Sequence, residues 1–434
     1  MSVPLHVEIV QKRSSRANKD FIKELVHSYL ANFASITPGV TLSKELEDAG
    51  EINDHVQCIS FCDAEHEAEL AAAEAALELH VFRLDSLAAE SDCLADAGEP
   101  LPAATVWALP HEDFHGLWES LLYDSHLKRD ALRYAEAAFE FAARGVDPNA
   151  VGVNRVALFH GPTGTGKTSL CRALAQKLSV RLAARFPRTR LLEINAHGLF
   201  SKWFSESGKL VARVFARIAE LADDRRLLAV VLVDEVESLA AARRAALGGL
   251  EPSDALRAVN AVLAQLDRLR RLPNVLVLAT SNVTGAIDVA FVDRADVKRL
   301  VGPPSARAAY SILRGCCNEL AARGVLRAGA APPPLAPGSG AGPASASAGP
   351  VGARLWRVAR AAAAARLSGR ALRRLPFLAV ALHGARGARP DAALFADALE
   401  AALRQHVDDA AAVRAAAAAP TDGSEHYSDF VSDD

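Results

Sequence analysis

The sequence predicts an α/β protein. Its centre is a parallel sheet covered by helices on both faces, preceded by a smaller α/β unit and followed by a helical segment. Three observations predict this. Between Asn154 and Ala279 short apolar strands alternate with helical patterns, as parallel strands joined by crossover helices do. Inside that stretch a glycine-rich segment, Gly161 to Thr168, separates a strand from a helix. Beyond Pro303 strand patterns stop and Ala-rich helical spacing takes over.

The elements follow in order. Leu5, Val7 and Ile9 alternate along a strand, and Phe21, Ile22, Leu25, Val26, Tyr29 and Leu30 recur at helical spacing. Val56 to Phe61 and Leu77 to Leu84 read as further strands, and Ala88 to Pro102 as a polar loop. Leu117, Leu121, Leu122, Leu132, Ala135 and Phe139 give Phe114 to Phe141 a helical period. Strands are then expected at 154–159, 191–194, 228–233 and 275–279. Helices are expected from Lys167, over 209–222 and over 253–269. Helical spacing resumes over 306–324, 368–383 and 390–407. The organisation predicted is an N-terminal recognition unit over 1–105, a connecting helical segment over 106–153 and a large α/β unit over 154–304. A helical lid follows over 305–410, with a flexible Ala/Gly/Pro insert at 329–352, and an acidic disordered tail over 411–434.

Composition bounds the function. The chain has 434 residues, enough for two or three domains, and 49 Lys+Arg against 52 Asp+Glu give a net charge of −3. Such a balance argues against gripping nucleic acid by bulk electrostatics. Six cysteines in a chain of this length are no disulfide scaffold. Neither a secretory signal nor a run of about 18 apolar residues occurs, so a soluble chain in a reducing intracellular compartment is expected.

Four segments carry chemistry. Gly161-Pro162-Thr163-Gly164-Thr165-Gly166-Lys167-Thr168 fits G-x-x-x-x-G-K-[ST], with Ser169 next on the helix. Its glycines let backbone N–H groups turn toward phosphate oxygens, and a helix N-terminus adds favourable partial charge. Lys167 suits the β- and γ-phosphates of ATP, and the Thr168 hydroxyl suits Mg²⁺. The strand at 228–233 ends on Asp234-Glu235. Asp234 fits the magnesium-side carboxylate, and Glu235 fits the base that polarises an attacking water. Asn282, after the next strand, either orients that water, senses the γ-phosphate, or simply makes a strand-end turn. Arg294 either reaches the γ-phosphate of a neighbouring subunit or forms a surface ion pair with Asp293 or Asp296.

These segments, in this order from Gly161 to Pro304, resemble AAA+ ATPases: parallel sheet plus helical lid. Within them the chain is similar to the pachytene checkpoint protein 2 homologue family, thyroid receptor-interacting protein 13 in its animal form. The likeness runs through His160 to Leu178, Glu193-Ile194-Asn195, Leu199 to Leu210, Asp234 to Leu239, Glu251 to Asp267, Ile287 to Pro304 and Ser368 to Leu378. Phe114 to Leu121 and Leu5 to Ser15 share it, and it fails between about 327 and 367. The resemblance implies a ring hexamer that uses ATP to open closed HORMA-domain proteins, with help from a HORMA-type adaptor. It implies mitotic checkpoint and meiotic axis substrates, and a place in the nucleus, on chromosomes and in the cytoplasm. It also implies that Arg370, in Ser368-Gly369-Arg370, reports nucleotide state from the lid.

Lys202-Trp203-Phe204 sits in a Ser/Gly-flanked segment. Its aromatics either pack in the core or line an axial channel, where they would wedge against an extended polypeptide without reading its sequence. Residues 242–252 are either a second channel loop or a basic solvent loop. His55, Cys58, Cys62 and His66 have zinc-like types, but strand alternation separates His55 from the two thiols. Two other classes compete with a protein remodeller. A nucleic-acid ATPase of clamp-loader or helicase type is opposed by the charge, and a nucleotide-gated scaffold without turnover is opposed by intact Glu235, Asn282 and Arg294.

Overall fold

The computed structural model describes residues 3–62, 70–72, 75–90, 104–147, 150–196, 207–240, 253–283, 287–327, 349–384 and 389–418. The chain forms two compact units that divide between Pro303 and Pro304.

The first unit opens with a small sheet. Its strands are β1 (Val3–Gln11), β3 (Thr41–Leu42), β4 (Val56–Cys62) and β6 (Ala75–Phe82), in the order β3-β4-β1-β6. A minor pair joins β2 (Ser35–Ile36) to β5 (Leu70–Ala71). Leu5, Val7 and Ile9 of β1 are fully buried against helix α1 (Lys19–Leu30), which turns Ile22, Val26 and Leu30 inward, and against α2 (Glu51–His55). The alternation expected of β1 is therefore its packing.

The second sheet has six strands: β7 (Ala104–Leu109), β8 (Val156–His160), β9 (Arg188–Asn195), β10 (Leu227–Asp234), β11 (Val275–Ser281) and β12 (Val297–Leu300). Their order is β12-β8-β11-β10-β9-β7. Five strands are parallel, the four expected ones and β12, which was not expected, and the edge strand β7 runs antiparallel to β9. Strand β10 shows why both faces are covered. Leu227, Ala229, Val231 and Val233 join the core under α6 (Ser207–Asp223), α7 (Ser253–Leu269) and α8 (Val289–Arg294). Leu228, Val230 and Leu232 join the core under α4 (Leu127–Ala143) and α5 (Lys167–Arg181). A strand buried on both faces reads as a continuous apolar run, which is how it stood out in the sequence.

Two differences from the predicted elements have local causes. The helical period from Phe114 to Phe141 breaks into α3 (Leu117–Ser120) and α4, because Gly116 takes a left-handed φ of 71° and the chain is extended after Ser120. The segment 104–109, which falls across the expected boundary of the N-terminal unit, is instead β7 of the main sheet.

The second unit is helical: α9 (Ala306–Ala322), α10 (Gly349–Ala364), α11 (Gly369–His383) and α12 (Ala392–Ala418). Tyr310, Leu313, Leu355, Val358, Leu372, Leu375, Leu399 and Leu403 bury together, and Tyr310 meets Trp356 edge-on with centroids 5.9 Å apart. The expected insert and tail are corrected only where they overlap the described residues; 329–348 and 419–434 lie outside them. Residues 349–352 start α10, and 411–418 extend α12, since alanine sustains a helix with little else to bury. No helix among the described residues is long and apolar enough to cross a membrane.

The N-terminal sheet packs on α5, the helix that starts at Lys167. Val10, Cys58 and Phe82 meet Val180 in a small apolar patch. Beside it the buried Lys177 Nζ donates to Glu8 Oε2 at 2.7 Å, lies 2.8 Å from Glu119 Oε1, and lies 3.3 Å from Cys62 Sγ. One turn later Arg181 places Nε 3.6 Å from Glu8 Oε1. Burial, then the charges of Arg181, His6, Lys23 and Lys177, pull the His80 imidazole down to about 3, so it stays neutral beside these cations. His55, Cys58 and Cys62 do not converge. His55 Nδ1 bonds Ser15 Oγ at 2.9 Å, Cys58 Sγ lies 3.9 Å from His115 Nε2, and Cys62 faces Lys177. His66 lies outside the described residues.

Lys177→Met should leave the Glu8 carboxylate with only its longer Arg181 contact and destabilise the protein by about 3 kcal/mol in urea unfolding. Adding Glu8→Gln should recover part of the loss.

Candidate nucleotide site

The phosphate loop leaves the C-terminal end of β8 and enters α5. Gly161 has φ 142°, and a Cβ there would lie 2.4 Å from the Val301 carbonyl oxygen. Gly166 has φ 96°, and a Cβ would lie 2.9 Å from Tyr123 Oη, which itself donates to the Gly166 carbonyl at 3.2 Å. The loop is thus clamped from β12's exit on one side and from Leu121 and Tyr123 on the other. Lys167 is 4% exposed, and its Nζ donates to the Gly161 and Pro162 carbonyls at 2.9 and 2.8 Å. Its ammonium is therefore held inside the loop. Thr165 Oγ1 donates to the Pro162 carbonyl at 3.0 Å; Pro162 and Thr163 face solvent, and Gly164, Thr168 and Ser169 are half-buried. Burial, then the Lys167 charge, lowers the His160 pKa just before the loop.

The acids arrive on β10. Asp234 pairs in register with Asn195, and Val233 with Ala279 of β11. That register sets Thr280 beside Asp234. Thr168 Oγ1 donates to both Asp234 oxygens at 3.1 and 3.2 Å, and Thr280 Oγ1 donates to Asp234 Oδ1. The same Thr280 hydroxyl accepts the Glu235 N–H at 3.4 Å, and the Thr280 carbonyl accepts the Val236 N–H at 3.0 Å. Glu235 itself has φ 61°, a left-handed conformation unusual for a side-chain-bearing residue. Its carboxylate is half-buried and makes no hydrogen bond or ion pair among the described residues.

Asn282 follows β11 directly and is half-buried, its N–H donated to Glu237 Oε1 at 3.1 Å. The Gly161 N–H donates to the Ser281 carbonyl at 3.1 Å, which joins this strand end to the phosphate loop. So Lys167, Thr168, Asp234, Glu235 and Asn282 gather at the C-terminal edge of three adjacent parallel strands, where α/β sheets bind ligands.

One predicted residue of the first unit lies apart from this cluster. Arg294 ends α8, and its guanidinium grips Asp267 of α7 through Nε–Oδ1 at 3.0 Å and NH2–Oδ2 at 2.7 Å. Its NH1 donates to the Ala290 carbonyl at 2.7 Å. The hydrogen bonds to Asp267 outweigh burial and raise the Arg294 pKa. The partner is thus Asp267, neither Asp293 nor Asp296. Asp296 instead accepts from Tyr134 Oη at 2.8 Å and from the Asn154 and Arg155 N–H groups. Arg370, in the second unit, is exposed on the first turn of α11 behind its N-cap Ser368. Lys202, Trp203 and Phe204, and residues 242–252, lie outside the described residues.

Sequence reasoning missed several residues of the site. Thr280 orders both acids, and Tyr123 covers the loop. Arg172 of α5 holds Glu193 through two bonds of 2.6 and 2.7 Å, bracing the helix against β9. Each acts through a partner far away in the chain, so no local pattern marked it.

The constellation fits Mg·ATP. Two loop glycines cannot carry a Cβ, a buried ammonium lies within the loop, and a hydroxyl and a carboxylate stand together as hard oxygen donors suited to Mg²⁺. Comparison with known proteins agrees. Residues 157–303 match the family model of the ATPase family associated with various cellular activities (AAA). Residues 1–86 match the TRIP13 N-terminal domain, and residues 305–407 match the TRIP13-like AAA+ ATPase lid C-terminal domain. The chain is 49% identical over 323 residues to the pachytene checkpoint protein 2 homolog of Gallus gallus, covering 74% of each. It is similar to the solved structure of C. elegans PCH-2, with a TM-score of 0.75 and 32% identity over 94% of this chain and 100% of that one. The Trip13 fold in the E. coli MS115-1 HORMA:CdnC:Trip13 complex also matches, with a TM-score of 0.52 and 15% identity over 68% of this chain and 94% of that one.

Thr280→Val preserves the strand but removes the hydroxyl shared by Asp234 and Glu235. Loss of a hydrogen bond to a charged group, about 1.5–3 kcal/mol, should slow steady-state ATP hydrolysis about 10- to 100-fold with little change in melting temperature.

Proposed function

The chain belongs to the pachytene checkpoint protein 2 homologue family and is an ATPase, and from that premise we propose that it is a hexameric remodeller of HORMA-domain proteins. In this reading it converts the closed HORMA conformer to the open one. It thereby disassembles checkpoint complexes and removes HORMA proteins from meiotic chromosome axes, with a HORMA-type adaptor, in the nucleus and cytoplasm. The observation that carries the proposal is the complete hydrolysis site, Lys167, Thr168, Asp234, Glu235 and Asn282, in one chain with matched TRIP13-type N-terminal and lid domains. The relative solved in complex with a HORMA protein lends further support.

When bound, Mg·ATP supplies the γ-phosphoryl group and the free energy of its hydrolysis. The residues divide the remaining work. Backbone N–H groups from Gly161 to Thr168, with the Lys167 ammonium, hold the phosphates. Thr168 and Asp234 hold Mg²⁺. Glu235 takes a proton from the attacking water, and the Asn282 amide orients that water. Arg294 of a neighbouring protomer spreads transition-state charge once its grip on Asp267 opens. Arg370 reports nucleotide state from the lid. Lys202, Trp203 and Phe204 grip the substrate polypeptide by contact that is indifferent to sequence, as a remodeller of varied segments requires.

Glu235→Gln should lower phosphate release at least about 100-fold, the scale of general-base loss, while nucleotide binding persists. Normal turnover in that variant would remove Glu235 from its assigned role. Trp203→Ala should retain ATP turnover yet fail to open a closed HORMA protein presented with its adaptor. Remodelling at the parental rate would refute the channel assignment.

A further inference from the structure

Asn282 sits one residue beyond the end of β11, where no strand remains to receive its N–H. That donor is taken by a side chain, Glu237 Oε1 at 3.1 Å, from the turn that follows Glu235. The turn is pinned. Val236 and Leu239 are 0% and 1% exposed in the core, and the Glu235 carbonyl accepts from Ser238 N at 3.1 Å and from Ser238 Oγ at 2.7 Å. The direction of the Glu237 side chain is therefore fixed by the same turn that sets Glu235. Its second oxygen, Oε2, is buried and meets no donor among the described residues. A buried carboxylate oxygen in that condition is costly, so the contact that Glu237 does make has to be worth keeping. On the other side, Ser281 Oγ donates to the Val283 carbonyl and accepts the Val283 N–H, both at 3.3 Å, which curls the chain around Asn282. Held at its backbone by Glu237, Asn282 has a side-chain amide with no hydrogen bond among the described residues.

We propose that Glu237 is a positioning residue for ATP hydrolysis. Its carboxylate ties the turn bearing the base Glu235 to the strand end bearing Asn282, and so fixes the spacing between the two groups that act on one water. A hydrogen bond to a charged acceptor is among the stronger ones, and fixed spacing is what an oriented water requires. This rests on the reading of Asn282 as the water-orienting group.

The test compares Glu237→Ala, Glu237→Gln, Asn282→Ala and the double variant Glu237→Ala/Asn282→Ala in the full chain. The readouts are steady-state kcat and the dissociation constant of a fluorescent ATP analogue. Glu237→Ala should lower kcat about tenfold with affinity within about twofold, since the loop that holds phosphates is untouched. Glu237→Gln keeps an acceptor oxygen and should stay within about threefold of the parent. The double variant should be no slower than Asn282→Ala alone, because without the Asn282 amide nothing is left for Glu237 to position. Parental kcat in Glu237→Ala would overturn the proposal. So would multiplicative losses in the double variant, or a Gln variant as slow as the Ala variant. Parental kcat in Asn282→Ala would instead overturn the water-orienting role of Asn282, and the failure would then lie in that assignment.

Discussion

Everything at the catalytic edge depends on the register between β10 and β11. Val233 opposite Ala279 brings Thr280 beside Asp234, and one hydroxyl then serves both acids. A slip of one residue would set Ala279 or Ser281 opposite Asp234 and take the Thr280 hydroxyl away from the two acids. The register is set far from the chemistry. Val231, Val233, Val277 and Ala279 fill one face and Leu228, Leu232, Leu276 and Leu278 the other, so any slip would bury side chains on the wrong layer. Hydrophobic packing thus determines where the charge lies. The hydrogen bonds at the strand ends act only after that choice is made.

The same logic explains what could be read from the chain alone. Strands β8, β10 and β11 were legible because burial on two faces leaves an unbroken apolar run ahead of a polar end. Helix α7 was legible because Val259, Leu263 and Leu266 repeat on one face. Strand β7 was not. It is an edge, alternately buried and half-buried, and its role as an antiparallel cap on β9 is a property of the partner. Helix α10 was not legible behind its alanine and glycine content, although Leu355, Val358, Ala359 and Ala362 repeat on one buried face. In the site, residue types that make chemistry by themselves, a glycine loop or an acid pair, announced themselves. Thr280, Glu237 and Asp267 did not, because a hydroxyl or a lone carboxylate acquires meaning only from a neighbour 27 to 46 residues distant.

The helix α5 links two otherwise separate problems. Its N-terminus frames the phosphate loop, and its C-terminal half carries Lys177 and Arg181 into the N-terminal sheet. The apolar patch at that junction is small, so the charged seam holds much of the contact. Buried ion pairs contribute specificity more than net stability, since desolvation offsets most of their attraction. A junction of this kind selects one docked arrangement without a deep energy well. An N-terminal unit docked that way bears directly on the helix that frames the phosphate loop.

Glu235 shows how such a site tolerates strain. A left-handed backbone costs an ordinary residue roughly 1–2 kcal/mol, and its φ of 61° is kept. The conformation is over-determined by its surroundings: its N–H meets Thr280 Oγ1, the next N–H meets the Thr280 carbonyl, and its own carbonyl takes two donors from Ser238. An extended residue there would continue β10 and direct its side chain into one of the covered faces. The left-handed turn instead takes the residue off the strand line at the C-terminal end of β10. Asp234, still in the strand, remains hydrogen-bonded beside Thr168. Two chemically similar acids, adjacent in the chain, are thereby given different surroundings by a single backbone angle.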